Sequence, residues 1–138
     1  MGNGGFYGTK EEWKRMEAPL LKLDARLELF AASSGMSLDK NFHGQINRYF
    51  MRNDGITRIL QIFLSDKSQM TFSLGIAAWK GGAKRFSKSE LIISKQSIDE
   101  ISENLELILA KAKERLDSWQ ESDLKLIERP TPNSGPNK

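Results

Sequence analysis

The chain contains no cysteine, a single histidine and four prolines among 138 residues. Without cysteine there is no disulfide framework, no thiolate metal site and no cysteine nucleophile. With His43 as the one imidazole, a metal site would have to be built from carboxylates, and structural zinc is not expected. No metal and no cofactor is therefore expected. No run of about 18 apolar residues occurs, so no membrane-spanning helix is expected. The N-terminal stretch lacks an apolar signal segment. Phe6 stands where a myristoylation motif wants Ser or Thr. Absent cysteine fits a reducing compartment, and the expected location is the cytoplasm.

Phosphate-binding loops are missing too. Gly2, Gly4, Gly5 and Gly8 follow no strand, and Gly81-Gly82-Ala83-Lys84 has neither the Ser or Thr nor the helix of a P-loop. Ser33, Ser34, Ser87 and Ser89 have no histidine placed near them by local sequence, so no nucleophilic triad can be argued. A hydrolase or transferase built on His43 is the remotest expectation, and the chain is not expected to be an enzyme.

Charge is present but unevenly spread. Residues 1–39 carry net −1, residues 40–95 net +7 and residues 96–138 net −3. A basic middle can mark an anionic partner. It can equally be neutralised by folding.

Hydrophobic periodicity gives the architecture. Thr9 to Glu12 reads as a capping box, in which Thr9 and Glu12 bond each other's backbone amides. Behind it Trp13, Met16, Leu20, Leu23, Leu27 and Phe30 recur at gaps of three and four, the spacing of one helical stripe. Pro19 predicts a break, giving helices over about 10–17 and 19–33, with Gly35 as a C-terminal cap. From residue 45 the period becomes two. Strands are predicted over 45–52, 56–64, 70–80 and 84–93, separated by Asn53-Asp54-Gly55, a polar loop at 65–69, and Gly81-Gly82. Ser97 to Glu100 is a second capping box, opening one long helix through Trp119. The fold class is α+β. It has an N-terminal helix, a four-stranded antiparallel meander and a long C-terminal helix, with both helices on one sheet face. The domain spans 9–128, between a flexible N-terminus at 1–8 and a disordered Pro-rich tail at 129–138.

Alternation divides the sheet residues. Ile56, Leu60, Ile62, Leu64, Met70, Phe72, Leu74 and Ile76 are predicted to face the helices. Thr57, Ile59, Gln61, Phe63, Thr71, Ser73, Gly75, Ala77 and Trp79 are predicted to form the opposite, open face. Trp79, Phe63 and Ile59 on that face are candidate anchors for a partner, with Arg48 and Arg58 as a basic rim. Lys80, Lys84, Arg85 and Lys88 around the last hairpin are a candidate anion-binding group. Lysines on an edge strand also block edge-to-edge aggregation, and Arg48 and Arg58 can pair with helix carboxylates. No motif names a family. The expectation is a non-enzymatic binding module that docks a protein partner, or a second copy as a homodimer, through the open face. The alternative is nucleic-acid binding by the basic segment 40–95.

Overall fold

A computed structural model describes residues 8–127. The loose end expected at 1–8 lies outside them except for Gly8, and the tail expected at 129–138 lies outside them entirely. The order is α1 (Lys10–Leu21), α2 (Asp24–Ser34), β1 (Ser37–Lys40), β2 (Asn47–Asn53), β3 (Thr57–Asp66), β4 (Thr71–Lys80), β5 (Phe86–Gln96), α3 (Ile98–Glu103), α4 (Leu105–Asp117) and β6 (Lys125–Leu126), with single 3-10 turns at Phe42–Gly44 and Glu121–Asp123. The six strands form one antiparallel meander in sequence order. The α+β class and the antiparallel sheet therefore hold. The strand count does not, because β1 and β6 add an edge on each side of the four expected strands.

Local chemistry sets the element ends. Both capping boxes form: Glu12 N–H donates to Thr9 Oγ1 and Glu100 N–H to Ser97 Oγ, with the glutamates bonding back. Gly35 ends α2 at φ 68°, a left-handed conformation that costs glycine nothing. The Asn53-Asp54-Gly55 turn is held by its own side chains. Asn53 Oδ1 accepts from Gly55 N–H at 3.0 Å and Asp54 Oδ1 from Ile56 N–H at 3.3 Å.

Two helix boundaries differ from expectation. Pro19 sits inside α1, and the break falls at Lys22 and Leu23. Both residues keep right-handed helical angles, and their amides bond Pro19 O and Leu20 O, so the chain tightens after the proline rather than at it. The long C-terminal helix is divided at Asn104, whose φ −129° and ψ 29° are not helical. A single irregular residue leaves the apolar stripe in phase, so Ile98, Ile101, Leu105, Leu109, Ala112 and Leu116 are all buried.

Helices α1, α2 and α4 pack on one face of the sheet. Phe50, Leu60, Ile62, Phe72, Leu74 and Ile76 fill that layer against Met16, Leu20, Leu23, Leu27, Leu105 and Leu109. Burial of this kind contributes about 1.5–3 kcal/mol for each large side chain. The division of faces expected from alternation is the one observed. Tyr49 and Ile59 are buried as well, yet stand apart from this core, on the other side of the sheet.

Candidate interaction face

Strand register fixes what the open face presents. Cross-strand partners share a face. One row runs Asn53, Thr57, Trp79, Ser87, Lys125. The next runs Met51, Ile59, Ala77, Ser89, and a third runs Asp39, Tyr49, Gln61, Gly75, Leu91. Asn47, Phe63 and Ser73 make a fourth. Across β2 to β5 no residue in these rows carries a charge. Charge returns at the edges, with Asp39 on β1 and Lys125 on β6, both exposed, and at the β3–β4 turn, where Asp66 pairs with Thr71.

The relief of this face comes from β4. Ser73, Gly75 and Ala77 are small, while Ile59 and Phe63 on one side and Leu91 on the other stand higher. Together they bound a shallow trough of about 230 Å³. A Cβ built on Gly75 would meet Glu90 O at 3.5 Å and Phe63 and Leu91 at 3.8 and 3.9 Å, which is ordinary contact. Leu91 is 55% exposed. At the β2 side, the chain between β1 and β2 folds over the face. Asn41 and His43 adopt left-handed angles there, and the Phe42 ring stacks on Tyr49 with centroids 4.1 Å apart. This leaves β3 to β5 as the part of the face that no described helix or loop aromatic covers.

Of the candidate anchors, Trp79 and Phe63 are half-buried on the open face, as alternation predicts. Ile59 lies on the same face but is 6% exposed, so it contributes shape more than accessible area. The guanidinium of Arg85 rests 5.2 Å from the Trp79 ring centroid, a cation–π contact at the end of the face.

Arg48 and Arg58 are not a rim of this face. Both point to the helix side. Arg48 is fully buried, and all its donors are used. Nε bonds Asp24, one terminal nitrogen bonds Asn41 Oδ1 and Asn47 O, and the other bonds Glu17 and Asp24. Burial opposes its charge, but the hydrogen bonds it donates to Asp24 and then Glu17 outweigh it and raise its pKa. Arg58, 7% exposed, donates to Leu116 O at 2.8 Å and Trp119 O at 2.7 Å, and pairs with Asp54. It adds a charged donor to carbonyls at and just beyond the end of α4, where Leu116 O also accepts from Trp119 N–H at 3.3 Å. The signal for this was in the pattern, since Arg58 shares its parity with Leu60 and Ile62.

The expected anion-binding group is divided between the faces. Lys80 pairs with Glu121 at 2.9 Å, and Lys88 Nζ lies 5.3 Å from the Trp119 ring centroid on the helix side. Lys84 and Arg85 are exposed in the turn. Leu91, the Gly75 depression and the Phe42 stack were not singled out from sequence. The first two are visible in the alternation once the register is known, but the stack depends on a left-handed loop that no pattern announces. His43 is exposed beside the Phe42 ring. Among the described residues, no three or more carboxylate or imidazole groups gather where they could hold a metal ion, and no helix is long and apolar enough to cross a membrane. The chain matches no protein-family model, no curated protein and no solved structure.

Proposed function

We propose that the protein is a non-enzymatic docking module, and that it binds a protein partner through the open face of its sheet. One observation carries this reading. Across four adjacent strands these rows present fifteen outward positions without a charge, with half-buried Trp79 and Phe63 and exposed Leu91 among them. A charge-free surface with aromatic relief is the composition of an interface centre. It offers little to a polyanion.

The basic middle of the chain is a weaker basis for nucleic-acid binding than its charge suggests. Lys40, Arg48, Arg52, Arg58 and Lys80 are all in ion pairs, with carboxylates mostly from α1, α2, α4 and the segment after α4. A cation already paired and buried has no counterion release to contribute.

The test is capture from a cell extract of the source organism on immobilised protein. Wild type retains a protein that Trp79→Glu and Leu91→Glu lose, and that Leu29→Glu, on the outer helix layer, retains. Retention is little affected by salt. Retention that all variants share, or of nucleic acid released by salt, overturns the reading.

A further inference from the structure

Resting on the docking reading above, we infer that the occupant of the open face is a second copy of this chain. The two copies pack face to face about a two-fold axis that runs parallel to the strands, between β3 and β4.

The register is the basis. Opposite one another on these two strands stand Thr57 and Trp79, Ile59 and Ala77, Gln61 and Gly75, Phe63 and Ser73. Each pair joins a larger side chain to a smaller one. A two-fold axis between the strands keeps every row and exchanges the strands, so β3 of one copy lies on β4 of the other. Ile59 then meets Ala77 of the other copy, Gln61 meets Gly75, Phe63 meets Ser73 and Trp79 meets Thr57. On β3 and β4 large faces small in each of these four rows, as interdigitated sheet packing about 10 Å apart requires. An axis perpendicular to the strands would do otherwise. It would set Ile59 against Gln61 and leave Ala77 over Gly75, crowding one place and emptying the next.

Charge does not oppose this packing. The rows of β3 and β4 hold no charged side chain, and the nearest charge is the Arg85 guanidinium against the Trp79 ring at the end of the face. At the edges, Asp39 on β1 and Lys125 on β6 are both exposed on this face. They stand two rows, about 13 Å, apart along the strands, and contribute little to association.

Size sets the strength. The three uncovered strands β3 to β5, about 4.8 Å apart and each offering about seven residues at about 3.3 Å, make a flat footprint on the order of 330 Å² per copy. That is below the roughly 800 Å² per partner of a standard stable complex. The dimer therefore forms at high protein concentration and dissociates on dilution.

The experiment is light scattering behind size-exclusion chromatography across a concentration series, on the untagged full chain. Wild type moves from 15.6 kDa toward twice that mass as concentration rises, with little change between low and high salt. Gly75→Leu fills the depression that Gln61 of the other copy occupies, and weakens association at least tenfold. The single chain accommodates it, because the space around Gly75 is ordinary contact, and an unchanged melting temperature verifies this. Gly75→Leu with Gln61→Ala makes room again and recovers most of the association. A dimer indifferent to Gly75→Leu, or one that Gln61→Ala fails to restore, overturns the inference. So does a wild type that stays monomeric at every concentration. In that last case, an extract partner that still depends on Trp79 leaves the docking reading standing, whereas the absence of any such partner removes both.

Discussion

On the helix side of the sheet, two arginines lie among leucines and isoleucines. On the other side, four successive rows across β2 to β5 hold no charged residue. The faces belong to the same strands and differ by one position in register. The helix side encloses charge because every Arg48 donor has an acceptor there, and Arg58 bonds Asp54 and the Leu116 and Trp119 carbonyls. The open side carries its polarity as Thr, Ser, Asn and Gln. A buried charge is tolerated where carboxylates and carbonyls surround it, and an interface is cheapest where there is no charge to desolvate. The comparison teaches that the two buried charges of the described residues lie on the helix side, where partners surround them, and that the uncharged side is the candidate contact surface.

The largest test of that contrast is Arg48→Met. It leaves Glu17 and Asp24 without their shared cation, and a loss of about 3–5 kcal/mol is expected in urea unfolding. Neutralising the two acids in the same chain, as Glu17→Gln and Asp24→Asn, recovers part of the loss. Arg58→Met comes next. It removes the charged donor that Leu116 O and Trp119 O share, and the cost is about 2–3 kcal/mol, with faster amide exchange at the end of α4. Trp79→Glu, on the open face, changes unfolding stability by only about 1 kcal/mol, while abolishing partner capture. Should it unfold the protein as readily as Arg48→Met, the two faces are not different in kind.

The smallest effect lies at the outer surface of the helix layer. Arg26 bonds the Glu106 carboxylate through Nε and a terminal nitrogen at 2.7 and 2.6 Å, and holds its pKa down to about 2 from 4.5. A carboxylate with a depressed folded pKa contributes stability that is present above the unfolded value near 4.5. That stability is lost as pH falls through about 2. An NMR titration should place the Glu106 midpoint near that low value, and Arg26→Met should return it to the ordinary carboxylate range. The pair is solvent-exposed, so the change in overall stability is slight.

Much of this arrangement was legible in the residues. Both capping boxes, the Gly35 cap, the Asn53-Asp54-Gly55 turn and the division of the sheet into a helix side and an open side all follow from local chemistry and a period of two. What was not legible has particular causes. Strand β6 is two residues long, Lys125 and Leu126, too short for any alternation. Strand β1, Ser37–Lys40, is mostly polar because it is an edge. Pro19 was placed at a break because its missing N–H should end a helix, yet the chain kept helical angles for four more residues.

The sequence by itself determined the elements, their order and which side of each strand is apolar, because these depend on neighbours three, four or two residues away. Only the tertiary structure decided the fate of the charges. Glu17 lies 31 residues from Arg48, Asp117 lies 65 from Arg52 and Leu116 lies 58 from Arg58. Lys40, Arg48, Arg52 and Lys80 of the basic middle pair with carboxylates of α1, α2, α4 and the segment after α4 when the helices close on the sheet, and a linear count of charge cannot see that. Coulomb energy depends on distance through space, and at these separations along the chain the fold alone sets that distance.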